Sequence, residues 1–290
     1  METKLLCSWV LILGITLGPS CVESRDVGSS TAAIPLGMQG NSASYNFTQS
    51  NASDQLAIDY LEVERKRNSI LNEVWECALK GMRDIRPPDG LRREHLLAVY
   101  AYTDSKCNNF YSVFNAAVRM DGADDSVYAA KFPFKSVHYL LSVALARLRE
   151  MAGRAPGTTY RGMSRPVILP KEPKMRFGHF ASSSLDKNIA KKYGNQTLFE
   201  IKSQFGAAIY MYSRQPTEQE VLIPPFEEFE VTHSSNSNGK VSVSLKGVES
   251  KGIRVKVERG AGGEMRVVRS SGATFSAGLC LLALLVHICA

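Results

Sequence analysis

The chain has 290 residues and a formal net charge of +7, from 35 Lys and Arg against 28 Asp and Glu. This length is enough for one large domain or two small ones, with a substantial core in either case. The basic residues are spread along the chain without a dense run or an interleaved aromatic ladder, so the charge gives little support to nucleic-acid binding.

The first predicted element is a secretory signal peptide over residues 1–24. Lys4 precedes the short apolar stretch LLCSWVLILGITLG, and small residues follow it. Glycosylation sequons fit the same compartment, and they begin at Asn46, Asn51 and Asn195. The sequence therefore predicts entry into the secretory pathway.

The next segment, residues 25–53, is predicted to be an N-terminal linker. From Gly28 to Ser53 the chain is rich in Ser, Gly, Ala and Asn and has no periodicity. A single domain is then expected over residues 54–260.

The first half of this domain is predicted to be mainly helical. Apolar residues recur at helical spacing in SILNEVWECALKGM, REHLLAVYAYT, NNFYSVFNAAVRM and SVHYLLSVALARLREMAG. In the first of these segments Trp75 is expected to be a core residue.

After Gly157 the pattern changes to short runs of β-branched and aromatic residues separated by turn signals. Helices followed by strands, without βαβ alternation, indicate an α+β domain with an antiparallel or mixed sheet. No GxGxxG or P-loop sequence is present.

The last segment, residues 261–290, is predicted to be a linker and a lipid-anchor signal. The apolar tail FSAGLCLLALLVHICA stops at the last residue, and the small residues of RSSG precede it. This order is typical of a glycosylphosphatidylinositol attachment signal, with Ser270 or Ser271 as the acceptor. A secreted protein without an anchor is the alternative.

The cysteines have a simple distribution once the terminal signals are removed. Of six cysteines, three leave with those signals, and Cys21 lies at the predicted cleavage point. Cys77 and Cys107 remain, and in an oxidising compartment two lone cysteines most often pair. We therefore expect a disulfide between the early helices.

Polar residues on three predicted strands form a candidate site. If the segment from Glu218 to Ile223 is extended, Glu218 and Glu220 point to the same face, and a solvated strand edge is the structural alternative. An Arg for phosphate, hydroxyls for orientation and a carboxylate for developing positive charge would suit cleavage of a glycosidic bond in a phosphorylated substrate. These groups are Arg161 in TYRG, the serines 182–184 in FASSS, and the two glutamates in EQE.

Five motifs in one order carry a family resemblance: VYAYT, FNAAVR, YRGM, FASSSL and EQEVLIPP. Together they resemble the arginine-specific mono-ADP-ribosyltransferases of the R-S-E class, in particular the vertebrate-type ecto-ADP-ribosyltransferases. The resemblance runs from about Trp75 to Val231, and it implies the ADP-ribosyltransferase fold.

The resemblance also implies roles for four residues. Arg161 would grip the phosphate or ribose of NAD, and Ser182 would orient the nicotinamide ribose and the catalytic acid. Glu220 would bond the ribose 2′-hydroxyl and stabilise the oxocarbenium-like transition state. Glu218 would align an acceptor guanidinium and help to deprotonate it.

Three further residues are implied in NAD binding, each with a structural alternative. Tyr102 and Ser213 match positions that line the NAD site in the family, although Tyr is also an ordinary core residue and Ser an ordinary turn residue. His179 stands where a glutamine is usual, so it is either an NAD contact or a structural histidine. Family members commonly carry two disulfides, whereas Cys77 and Cys107 are the only pair certain here.

The expected activity is transfer of ADP-ribose from NAD, or NADP, to arginine on proteins at the cell surface or in the extracellular space, without a metal. An NAD glycohydrolase with the same site and a catalytically silent surface-binding module are the alternatives. Glu218 argues against the first, and the intact set Arg161, Ser182 and Glu220 argues against the second. A carbohydrate hydrolase is disfavoured because its two carboxylates flank the sugar from opposite sides.

Overall fold

The structure, a computed structural model, describes residues 32–249 and 252–270. Its helices precede most of its strands, as the sequence predicts. The helices within these ranges are α1 (Asn51–Arg67), α2 (Ser69–Gly81), α3 (Arg93–Thr103), α4 (Phe110–Met120), α5 (Asp125–Lys131), α6 (Lys135–Met151) and α7 (Lys187–Lys192).

The early helices form because their apolar residues share a face and their ends are capped. In α2 the buried residues include Val74, Trp75 and Ala78, which are spaced to lie on one side of the helix. The Asn68 side chain accepts a hydrogen bond from the amide of Leu71 and caps the first turn. Trp75 is 2 % exposed, so its expected place in the core is confirmed.

Within the described ranges the strands form three sheets. Their bounds are β1 (Ile34–Pro35), β2 (Tyr45–Phe47), β3 (Thr158–Met163), β4 (Val167–Ile168), β5 (Lys174–Arg176), β6 (Ala181–Ser184), β7 (Thr197–Lys202), β8 (Ala207–Ala208), β9 (Glu220–Ile223), β10 (Glu228–Ser237), β11 (Lys240–Gly247), β12 (Ile253–Arg259) and β13 (Met265–Arg269). A 3₁₀ turn, Pro216–Glu218, precedes β9.

The largest sheet has eight strands in the order β5-β10-β11-β7-β3-β6-β9-β8. Strands β11 and β7 are parallel, whereas β3 and β7 are antiparallel, so the sheet is mixed. The predicted α+β class with a mixed sheet is confirmed. Between β3 and β6 the pairing is limited to Tyr160 and Ser184, so the sheet opens beyond this pair.

Residues 34–53 do not form the linker that composition predicts. Strand β2 pairs in parallel with β12, and Tyr45 and Phe47 are buried in the core. Helix α1 begins at Asn51 and is capped by the Ser50 hydroxyl. Three residues of alternating burial are too short to give a periodic signal, and their partner strand lies at the other end of the chain.

The expected C-terminal boundary at residue 260 also differs from the structure. Strand β13 pairs antiparallel with β12 and lies beyond that boundary. The three-stranded sheet β13-β12-β2 packs with the helices in one core, because Val255, Val257 and Met265 are buried there. The folded unit therefore includes both segments outside residues 54–260.

A disulfide joins Cys77 of α2 to Cys107 in the loop before α4. The predicted pairing is confirmed. The bridge fixes the approach of α4 to the other helices, and α4 supplies side chains to the site described below.

The predicted signal peptide and the apolar tail of the predicted anchor signal lie outside the described residues, as do Cys21 and Ser271. Among the residues that the structure describes, no helix combines the length and the apolar character needed to cross a bilayer.

Candidate active site

A cavity of about 410 Å³ lies where β3 and β6 diverge. This volume is within the usual range for small-molecule sites. Its walls come from α3, α4, β3, β6, α7 and the turn before β9. The polar residues that line it include Tyr102, Asn115, Arg119, Arg161, His179, Ser182, Glu218 and Glu220.

Arg161 spans the opening between the two strands. Its Nη1 donates a hydrogen bond of 2.7 Å to the backbone carbonyl of Ser182, so the guanidinium binds β6 where the strand pairing has ended. The guanidinium also lies 5.9 Å from the centre of the Phe177 ring. Its Nε is buried and has no hydrogen-bond partner among the described residues. Arg161 therefore offers an unused donor to an anion.

Arg119, at the end of α4, brings a second guanidinium to the same cavity. It forms no ion pair with any residue in the described ranges. Burial lowers the pKa of Arg161, and the charge of Arg119 lowers it further. Two partly buried cations that repel one another favour the binding of an anion between them.

Ser182 lies beside both Tyr102 and Glu220. Its hydroxyl opposes the rise that burial causes in the pKa of each of these groups. Tyr102 is itself fixed, because its hydroxyl donates to the Phe180 carbonyl at 2.8 Å and accepts from Asn115 Nδ2 at 2.9 Å. These two bonds fix the Tyr102 side chain beside Ser182.

Glu220 is the most enclosed acid of the cavity and is 8 % exposed. Burial raises its pKa from 4.5 to about 7, and the neighbouring charge of Glu218 raises it as well. The Ser182 hydroxyl and the Arg161 charge oppose this rise. Burial disfavours the charged form of this carboxylate. A buried carboxylate with one hydroxyl and one cation beside it is typical of a functional acid.

Glu218 lines the same cavity, but its backbone conformation differs from the expected one. It ends the 3₁₀ turn, Gln219 adopts a left-handed conformation with φ of 48°, and β9 begins only at Glu220. The expected extended geometry from Glu218 to Ile223 is therefore wrong, because the left-handed residue breaks the alternation of side chains. Both acids nevertheless line one cavity.

His179 lines the cavity as a neutral side chain. Burial, followed by the charges of Arg161 and Arg119, lowers its pKa to about 3. Its Nδ1 lies 2.7 Å from the Phe177 carbonyl, which requires a proton on Nδ1 and leaves Nε2 as an acceptor. The histidine thus combines a structural hydrogen bond with a free acceptor atom.

Ser213 does not line this cavity. It contributes to a separate surface depression with Tyr100 and Met211, and its hydroxyl bonds the Tyr210 carbonyl at 3.3 Å. In the structure it behaves as the turn residue of the alternative interpretation.

Sequence reasoning missed Arg119, Asn115 and Tyr193 as cavity residues. The motif FNAAVR contains the first two, but an arginine in the last turn of a helix is an ordinary choice. Tyr193 follows α7 and lies in no motif that the sequence highlighted.

A comparison with known protein families identifies the family of this chain. The family model described as NAD:arginine ADP-ribosyltransferase matches residues 40–252, more than half of the chain. The chain belongs to this family. The resemblance seen in the sequence is confirmed, and the chain is an NAD-dependent ADP-ribosyltransferase.

Relatives of this ADP-ribosyltransferase include Ecto-ADP-ribosyltransferase 5 from Homo sapiens, 36% identical over 73% of this chain and 76% of that protein. NAD(P)(+)–arginine ADP-ribosyltransferase 2 from Gallus gallus is 34% identical over 82% of this chain and 78% of that protein. GPI-linked NAD(P)(+)–arginine ADP-ribosyltransferase 1 from Mus musculus is 36% identical over 69% of this chain and 63% of that protein.

Solved structures agree with the ADP-ribosyltransferase fold. A point mutant of the eukaryotic mono-ADP-ribosyltransferase ART2.2 in complex with NADH superposes with a TM-score of 0.62 at 27% identity, over 73% of this chain and 93% of that one. A second point mutant of ART2.2, in complex with NAD, gives a TM-score of 0.60 with the same identity and coverage. NAD as the co-substrate is thereby confirmed.

Proposed function

We propose that this enzyme transfers ADP-ribose from NAD to arginine side chains of proteins at the outer cell surface and releases nicotinamide. The observation that carries the assignment of the site is the buried Glu220, held beside Ser182 and Arg161 with Glu218 in the same cavity.

Arg161 and Arg119 are assigned to the diphosphate of NAD. Their charges line one cavity and lack a carboxylate partner at salt-bridge distance among the described residues. Guanidinium groups suit phosphate oxygens in charge and in the geometry of their donors. His179, whose Nε2 is an acceptor, is assigned to the carboxamide N–H of nicotinamide.

Glu220 and Ser182 are assigned to the bond-breaking step. The C1′–N bond of the nicotinamide ribose breaks, its electron pair leaves with nicotinamide, and positive charge develops on the ribose. The ionised Glu220 stabilises this charge electrostatically in a partly desolvated cavity. Ser182 is assigned to orient this carboxylate, beside which its hydroxyl lies.

Glu218 is assigned to the acceptor. A guanidinium nitrogen of the target arginine forms the new bond to C1′, and the proton it loses passes to the Glu218 carboxylate. Hydrolysis needs only Glu220, so the presence of a second acid at the cavity supports transfer over an NAD glycohydrolase.

The direct test is incubation of the purified ectodomain with labelled NAD, with and without an arginine analogue. We expect nicotinamide release in both reactions and labelled analogue in the first. Nicotinamide release without labelled analogue would favour the glycohydrolase, and NAD binding without release would favour the silent module.

A lipid anchor at the outer surface is proposed from the apolar tail and the GPI-linked relative from Mus musculus. The amide of Ser270 bonds the Arg254 carbonyl at 2.9 Å and closes the β12–β13 sheet. An anchor at Ser270 or Ser271 would then hold the folded domain close to the bilayer.

We expect phosphatidylinositol-specific phospholipase C to release the protein from intact cells, because the anchor would be its only attachment to the membrane. The measurement is the fraction of protein in the supernatant, with a known anchored protein as a control for the phospholipase. Retention on the cells after verified cleavage of that control, or a soluble protein at the outset, would contradict the anchor.

A further inference from the structure

Tyr193 forms an unexpected contact with the acceptor acid. It follows α7, lines the cavity and is 58 % exposed. Its hydroxyl donates a hydrogen bond to Oε1 of Glu218, which lies 25 residues away in the chain. The bond joins the residue that follows α7 to the turn before β9, and both residues line the cavity.

The backbone of Glu218 is already fixed from β6. The Ser184 hydroxyl donates to the Glu218 carbonyl at 2.7 Å, and the Leu185 amide donates to the Gln219 carbonyl at 3.2 Å. Two contacts thus hold the turn against the strand that carries Ser182. What remains free is the rotation of the Glu218 side chain, and the Tyr193 hydroxyl restricts that rotation.

The backbone around Tyr193 is also held by neighbouring contacts. Its amide bonds the Ala190 carbonyl at 3.2 Å and ends α7. Gly194 follows with φ of 139°, and a Cβ at that position would lie 2.1 Å from the amide nitrogen of Ser164. Only glycine permits this approach. The tyrosine is therefore fixed against the end of β3, the strand that carries Arg161.

The tyrosine also remains a donor across the physiological pH range. Burial, and after it the hydrogen bond and charge of Glu218, raise the pKa of the Tyr193 hydroxyl. A hydroxyl that binds Oε1 leaves Oε2 of the same carboxylate available to another donor.

We propose that Tyr193 is a positioning residue for the acceptor half of the reaction: its hydroxyl fixes the Glu218 carboxylate so that the second oxygen faces the incoming guanidinium. The inference rests on the proposed function of Glu218. The Tyr193 hydroxyl bonds Glu218, whereas Glu220 acts on it through its charge. Tyr193 therefore sets how ADP-ribose is divided between arginine and water, and does not set how fast NAD is cleaved.

The test is Tyr193→Phe, which removes one hydroxyl from an exposed ring and leaves the packing in place. Nicotinamide and labelled arginine analogue are counted in the same reaction. Loss of one hydrogen bond to a carboxylate should reduce the ratio of transfer to nicotinamide release about three- to tenfold. NAD cleavage without acceptor should change less than about twofold.

A double variant separates positioning from a general effect on the site. In a Glu218→Gln background, Tyr193→Phe should reduce the ratio no further, because the carboxylate that it positions is gone. A full additional reduction there would overturn the proposal.

Tyr45→Phe is the matched control. The Tyr45 hydroxyl also donates to a carboxylate, Oδ1 of Asp125 at 3.0 Å, but it lies in β2 and does not line the cavity. Its loss should leave the ratio unchanged, and an equal fall in both variants would indicate a stability effect and overturn the assignment.

The two proposals fail in different ways. If the wild-type protein releases nicotinamide and modifies no arginine, the proposed function is wrong. If the wild-type protein modifies arginine and Tyr193→Phe does so with an unchanged ratio, the role of Tyr193 alone is wrong.

Discussion

Glu220→Gln should reduce both nicotinamide release and arginine modification by about a hundredfold or more. Glutamine keeps the size of the side chain and an acceptor for Ser182 but lacks the charge that stabilises the ribose cation. Both products are affected because every outcome of the reaction begins with cleavage of the C1′–N bond.

Glu218→Gln is the informative comparison. It should lose most arginine transfer and retain NAD binding with measurable release of nicotinamide to water, since Arg161, Ser182 and Glu220 remain. Both products are counted in one reaction for each variant. Normal arginine transfer by Glu218→Gln, or normal turnover by Glu220→Gln, would refute the division of labour between the two acids.

Glu220→Gln should also stabilise the folded protein, and the gain should increase with pH. The pKa of Glu220 is about 7 in the folded protein against 4.5 for a free side chain, chiefly because of burial. The folded state therefore binds this proton more tightly than the unfolded state, and the contribution of Glu220 to the stability of the wild-type protein falls as pH rises from 4.5 to 7. Glutamine does not titrate and avoids this loss.

The expected gain is about 3 kcal/mol at pH 8 and less than about 1 kcal/mol at pH 5. Denaturant unfolding of both proteins at the two pH values measures it. Other buried acids, including Glu64 and Glu227, have raised pKa values too, so the difference between variant and wild type is the relevant quantity. A gain that does not change with pH would contradict the assigned burial of charge.

The sequence predicted those parts of the fold whose signal is local. The segment REHLLAVYAYT coincides with α3 from its first residue to its last, because its helical pattern is bounded by polar residues. Strand β2 was missed because three residues give no period, and their pairing depends on a strand near the other end of the chain. Glu218 was misplaced because a left-handed Gln219 has no sequence signal comparable to that of glycine.

The candidate site likewise contains residues that the sequence predicted and residues that it did not. Arg161, Ser182 and Glu220 lie in motifs and meet in the cavity as expected. Arg119 could not be distinguished from an ordinary cation at a helix end, and the contact of Tyr193 with Glu218 depends on how two distant turns pack. Such contacts are properties of the folded chain that spacing alone does not predict.

The parallel pairing of β2 with β12 has a consequence for how the chain is synthesised. Tyr45 pairs with Ile253, which lies 208 positions later in the chain. At about 5–20 residues per second, a ribosome needs roughly 10–40 s to make the second partner after the first. During that interval β2 has no partner strand, and its buried aromatic residues have only part of their core. Folding of this sheet must therefore follow translation of the catalytic segment, and a nascent chain arrested before β12 would keep Tyr45 and Phe47 accessible to chaperones.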